Sequence, residues 1–231
     1  MPAVLIRPFR PEDTDALYRV ALHTGNDGTD ASGLFADPDL IGHLYVGPYL
    51  ALEPALAWSL VDETGPIGYV LGALDTVDFE RRCEQHWWPP LRARIPDPSI
   101  RPDWPGLESA SQDDEAAYLI HHPELTPAEV LPQYPSHLHI DLLPSGQGQG
   151  YGRTMIDTLL ATLIAAGSPG VHLGVGAANV RAIGFYRALG FRELRRDPTE
   201  VYLGRTLGQQ AGASAAPRPA PDGGSTGASD R

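Results

Sequence analysis

The 231-residue chain has a single cysteine, Cys83. That excludes an intrachain disulfide and any zinc site built on several cysteines, and it fits a reducing compartment. Positive charge is also scarce, with 17 Lys and Arg against 29 Asp and Glu for a net charge of −12. A general surface for nucleic acid or an anionic membrane is therefore not expected, since neither polyanion gains from an acidic protein. Long apolar runs are missing too. The start, "MPAVLIRPFRPED", is too briefly apolar before Arg7 for a secretory signal, and "LYVGPYLALEPALAWSLV" is broken by Pro48, Glu53 and Pro54. The expectation is a soluble cytoplasmic protein with no membrane or nucleic-acid partner.

What is present is enough length for a sizeable core, in one large domain rather than two small ones. Residues 1–207 are expected to form it. The remainder, "GQQAGASAAPRPAPDGGSTGASDR" (208–231), holds small, polar, Pro and Gly residues. Such a segment buries too little apolar surface to offset its ordering entropy, so a disordered tail is expected.

The opening reads as a strand (3–7), then a helix after Pro11 with Glu12, Asp13 and Asp15 in its acidic first turn and Leu17, Val20 and Ala21 on its apolar side. A helix near 37–47 and two strands, "AWSLVDE" (57–63) and "GPIGYVLGALD" (65–75), follow, the strands joined by a turn as a hairpin. Between about 76 and 135 the chain is rich in Pro and Trp and reads as an insertion or lid, with short helices in "DFERRCEQ", "DDEAAYLI" and "TPAEVL". The Trp87-Trp88 pair either lines an acceptor pocket or fills the insertion's own core. Alternation of Leu138, Ile140 and Leu142 with His139 and Asp141 makes 136–144 a strand. A helix follows on Met155, Ile156, Leu159, Leu160, Leu163 and Ile164, then a strand (171–176), a helix (179–190) and a hairpin (191–196, 200–207). The sum is a mixed α/β sheet of about seven strands flanked by helices.

Between the fourth strand and its helix lies "SGQGQGYGRT" (145–154). A G-x-G-x-x-G dinucleotide fingerprint fails because Tyr151, Arg153 and Met155 stand where glycines would be needed, and the stretch has no lysine for a phosphate loop. What remains is a strand end, a run of N–H groups able to point inward and a helix N-terminus at the same spot, which together suit an anion. Arg153 can add a charge-assisted contact.

The pattern Gln147-x-x-Gly150-x-Gly152 after "LLP" resembles the acetyl-CoA pyrophosphate loop of the GNAT superfamily of N-acetyltransferases. The resemblance implies a mostly antiparallel GNAT-like sheet and acetyl-CoA as cosubstrate. It also implies backbone bonds from Leu142 and Leu143 to pantetheine, and pyrophosphate held by the N–H groups of Gln147, Gly148, Gln149, Gly150, Tyr151 and Gly152. A second match is "NVRAIGFYRALGF", in which Asn179 and Tyr186 lie two helical turns, about 10 Å, apart on one face. In the family a residue at the place of Asn179 bonds pantetheine, and a tyrosine at the place of Tyr186 protonates the departing thiolate. The insertion and the order of motifs are further similar to the acetyltransferase-like C-terminal domain of O-GlcNAcase and its bacterial relatives. That likeness keeps open a non-catalytic acetyl-CoA-binding or protein-interaction module.

Transfer to an amine needs a neutral nucleophile and a proton for the thiolate. Tyr186 is the candidate acid, against a plain core aromatic beside Phe185 and Leu189. Asp141 is the candidate base, against a carboxylate in a polar network, with His139 on the same strand face as second candidate. Asn179 is also a favoured N-cap whatever the function. His137 and His139 share a strand face, but no further ligand spacing supports a metal, and none is expected. Asp75 and Asp78 could face the acceptor, a small-molecule or peptide amine. The sequence leaves a homodimer open.

Overall fold

The computed structural model describes residues 4–208, and the expected tail lies, from Gln209 on, outside the described residues. The first half runs β1 (Leu5–Pro8), a 3-10 turn (Pro11–Asp13), α1 (Thr14–Leu22), α2 (Leu40–Tyr45), α3 (Gly47–Leu52), β2 (Ala57–Asp62) and β3 (Gly65–Ala73). The single helix expected near 37–47 is two, broken at Val46, because Pro48 has no N–H to offer the carbonyl of Leu44. Asp13, expected to serve the helix dipole, is turned inward instead. It accepts both Arg7 guanidinium nitrogens at 2.7 and 2.8 Å, the Arg10 N–H at 3.0 Å and the Ser59 hydroxyl at 3.1 Å. Arg7 holds the Asp13 carboxyl below its ordinary pKa, so this ion pair fastens β1, α1 and β2 together.

Next come α4 (Thr76–Arg82), a π-helical turn (Cys83–Trp87), α5 (Trp88–Arg92) and α6 (Gln112–His121). They enclose a core of their own around Phe79, Cys83, Trp88, Leu91, Ala116 and Ile120. "TPAEVL" forms turns rather than a helix. Pro127 and Pro132 leave too few donors between them, and Val130 reaches back only to Pro127, at 2.9 Å.

The second half is β4 (Ser136–Leu142), α7 (Tyr151–Ala165), β5 (Gly170–Gly176), α8 (Val180–Ala188), β6 (Arg192–Arg196) and β7 (Glu200–Thr206). The seven strands make one sheet in the order β1-β2-β3-β4-β5-β7-β6, antiparallel at every neighbouring pair except β4–β5. One face packs on α7 through Leu60, Val70, Leu138, Met155, Leu159 and Leu163. The other packs on α1 to α3 through Leu17, Val20, Val46, Tyr69 and Leu71.

The parallel pair is the feature that makes a site. β4 and β5 are bonded only where Ser136 meets Val171 and His137 meets His172; beyond that they part. A sheet that splits leaves two backbone edges facing each other across a gap, and each needs partners.

Candidate active site

The glycine stretch opens with a 3-10 turn (Pro144–Gly146) and then takes positive φ at Gly148 (+73°) and Gly150 (+86°), the latter as N-cap of α7. A side chain at either position would be strained, so glycine is required by conformation. Among the described residues, no hydrogen bond is donated by the backbone N–H of any residue from 148 to 153. Six consecutive free donors at a helix N-terminus form a cradle for a pyrophosphate, and that is the fit expected of acetyl-CoA. The register differs by one residue from expectation: the Gln147 N–H is already bonded to Pro144 O at 3.2 Å. Gln147 instead works through its side chain, which donates to Leu142 O at 2.7 Å and accepts from Arg181. Arg181, which sequence reasoning missed, thus stands beside the loop. Arg153 leans toward Ala188 O at 3.3 Å and still lines the cleft.

The strand edge also needs one correction. Leu143 lies past the end of β4, with its N–H bonded to Ile67 O and its C=O to Gly146 N–H, both at 2.8 Å. Its N–H is therefore used up and its carbonyl is already engaged within the turn. Because Leu143 bonds to β3, alternation along an antiparallel pair turns the N–H and C=O of Leu142 and Ile140 the other way, into the gap. The Leu142 carbonyl is taken by Gln147, which leaves Leu142 N–H and both groups of Ile140 to meet a pantetheine arm.

Across the gap stands α8. Asn179 caps it, its side chain accepting the Ala182 N–H at 3.0 Å. Tyr186, 8% exposed, projects into the same cleft, and burial, together with the charge of Asp141, pushes its pKa up. The phenol therefore keeps its proton through the neutral range, as an acid must. Asp141 does sit in a polar network. It accepts the hydroxyl of fully buried Tyr69 at 2.6 Å and lies 3.1 Å from His139 Nε2. The Tyr69 oxygen is also hydrogen-bonded to His139 Nε2 at 3.1 Å, and with Tyr69 donating to Asp141 the donor of that bond is Nε2, so Tyr69 links His139 to the carboxylate. The imidazole is stacked between Tyr45 and Tyr69 at centroid distances of 5.8 and 5.6 Å.

These groups share one cleft of about 980 Å³, lined by the glycine loop, Ile140 to Leu142, Asn179 and Tyr186. A second cavity of about 670 Å³ meets it at Tyr45, His139 and Gly174. Trp88 lines this second space while also filling the insertion's core, whereas Trp87 donates its ring N–H to His43 O at 2.9 Å. Asp75 and Asp78 do not face the site. Asp75 caps α4, and Asp78 pairs with Arg81 and Arg82. His137 faces Thr76 at 2.8 Å, and among the described residues no group of three or more His, Cys, Asp or Glu could hold a metal. No described helix is long and apolar enough to cross a membrane.

The model of the acetyltransferase (GNAT) family matches residues 107–191. The chain is 38% identical to SsHAT, whose crystal structure superposes with a TM-score of 0.82 over 90% of this chain and 100% of that one. It is 29% identical to protein O-GlcNAcase of Rattus norvegicus over 207 residues, 87% of this chain but 22% of the relative. The chain thus spans about a fifth of the length of the curated relatives it matches. The structure of yncA from Salmonella typhimurium with its cofactor acetyl-CoA has a TM-score of 0.52 at 14% identity, covering 93% of this chain and 99% of that one, which is likeness of fold alone. Fold, site and family agree: this chain belongs to the GNAT acetyltransferase family.

Proposed function

We propose that the protein is an acetyl-CoA-dependent N-acetyltransferase that moves the acetyl group directly to an amine in a ternary complex. The observation that carries this reading is the run of six unpartnered N–H groups at 148–153 beside an open strand edge and a protonated tyrosine in one cleft. The loop would hold the pyrophosphate, with Arg153 and Arg181 adding charge. Ile140 and Leu142 would hold pantetheine by their backbone, with Asn179 near it.

Bound acetyl-CoA supplies an activated thioester: the nitrogen–carbon bond forms as the carbon–sulfur bond breaks, giving an N-acetyl product and the free thiol. Tyr186 gives its proton to the sulfur. The proton lost by the nitrogen goes to the Asp141–His139 pair, with His139 Nδ1 as acceptor and Asp141 steadying the ring through the Tyr69 hydroxyl. This divides the base role between the two candidates.

Calorimetry tests the reading: acetyl-CoA should bind the intact protein, and failure to bind at millimolar ligand would remove the proposal. The likeness to O-GlcNAcase supports a second reading, a module that binds without transfer. Thiol release separates the two, since binding with no turnover across amine, aminosugar and peptide acceptors would favour the module.

A further inference from the structure

A direct transfer needs two approaches to one carbon, and two cavities meet at Tyr45, His139 and Gly174. The larger one carries the backbone cradle. The smaller, within the size range of small-ligand pockets, is walled by the sheet on one side and by α4, the π-helical turn and the segment after α6 on the other. Its charge is one-sided. Glu80, Glu124 and Glu200 line it, and none makes an ion pair among the described residues. Its lone arginine, Arg81, is engaged by Asp78, and Glu84 by Arg92.

Glu200 occupies the junction. Its carboxyl lies against the bare Cα of Gly174, where a methyl group would collide with it, and Gly174 borders both cavities. Burial raises the pKa of Glu200, the Tyr202 hydroxyl offsets part of that, and the charge of Glu124 raises it further, so a cation placed between the two carboxylates would relieve both. Tyr49, Phe79 and Trp88 add aromatic surface, which suits alkyl stems and ammonium groups alike. The wall has no Asn or Gln to read sugar hydroxyls.

A nitrogen that is acetylated loses its charge. Carboxylates that must be matched through the reaction therefore need a second nitrogen that does not react. Resting on the acetyl-transfer reading, we infer that the smaller cavity is the acceptor site and that its acceptor is a small alkyl di- or polyamine. One nitrogen reaches His139 neutral, and a second stays as an ammonium held by Glu200 and Glu124.

The test compares kcat/KM by thiol release for 1,4-diaminobutane and spermidine against n-butylamine, glucosamine and a lysine-containing peptide. The diamines should lead n-butylamine by roughly a hundredfold, and Glu124→Gln or Glu200→Gln should each cut that ratio about tenfold. Glu63→Gln, on the exposed β2–β3 turn, should leave the ratio as it is. Calorimetry of 1,4-diaminobutane into the CoA-saturated protein measures acceptor binding without turnover, and retained CoA affinity shows that each variant is folded. Equal rates for diamine and monoamine, a lead for glucosamine or peptide, or no diamine binding would overturn the acceptor class while acetyl-CoA binding still stands. Loss of acetyl-CoA binding in the wild type would instead remove the reading beneath it.

Discussion

The two cavities that meet at His139 are made of different material. The cofactor cleft is built from backbone: free N–H groups at 148–153, the turned-out edge of Ile140 and Leu142, and two glycines held at positive φ. The acceptor cavity is built from side chains that separate segments bring together, among them Glu80, Trp88, Glu124, His137 and Glu200. A backbone site demands particular spacings of glycine and helix start, because only certain φ values form it. A side-chain site demands only that the chain return to the same place, which can be done in many ways.

The contrast is sharpest at Tyr186, the side chain in the backbone-built cleft that would give the leaving sulfur its proton. Tyr186→Phe should lower kcat by about 10²- to 10⁴-fold, the range for loss of a general acid, with acetyl-CoA affinity unchanged. Thiol release and calorimetry on one preparation check both. An undiminished kcat across pH would return Tyr186 to the role of core aromatic.

The same division explains what could be read from the sequence. The order of strands and helices in 1–75 and 136–207 follows from periodicity, and the loop from the spacing of Gln147, Gly150 and Gly152. The limits of the reading lie where bonds depend on tertiary neighbours. Leu143 reads as strand by its apolar neighbours, yet its N–H goes to Ile67 and its C=O to Gly146. Asp13 reads as a helix-start acid, yet Arg7 draws it inward. Tyr69 and Glu200 carry no local signal at all: one is a strand aromatic, the other follows a turn, and only pairing with β4 and β5 brings them to the site.

Acid should act first on the side-chain wall. Burial, and then the nearby His172 and His139, push His137 from its ordinary 6.5 down to about 3, and His172 is lowered too. A folded-state pKa below the unfolded one means that the stabilisation is complete above pH 6.5 and is lost as pH falls from there toward 3. The slope for one such group is about 1.4 kcal/mol per pH unit. Thermal melts at pH 7.0, 5.5 and 4.5 should show a shallower loss for His137→Gln than for wild type. Parallel curves would mean that His137 is protonated within the fold.

A smaller effect separates conformation from contact in the cradle. Gly150→Ala places a Cβ at φ +86°, a left-handed geometry that costs about 1–2 kcal/mol, so acetyl-CoA affinity should fall roughly tenfold by calorimetry. Gly184→Ala is the matched control, inside α8 with open space around the added methyl, and should stabilise by about 0.5–1 kcal/mol. Equal and small effects at both sites would mean that the loop adapts and the positive φ is dispensable.

The smallest expected effect falls at Asn179, where a structural bond and a proposed cofactor contact share one side chain. The carbonyl oxygen of Asn179 accepts the Ala182 N–H at 3.0 Å, so Asn179→Ala should cost about 1 kcal/mol of stability as a lost cap. Asp caps as well as Asn does, so Asn179→Asp should restore the melting temperature. Asp cannot donate the amide N–H, however, and it brings a negative charge into the cleft that is to hold a pyrophosphate. If Asn179 also contacts the cofactor, acetyl-CoA affinity should stay low in the Asp variant while stability recovers. Should the two measurements recover together, Asn179 is a cap only, and the cofactor cleft rests on backbone alone between the loop and Tyr186.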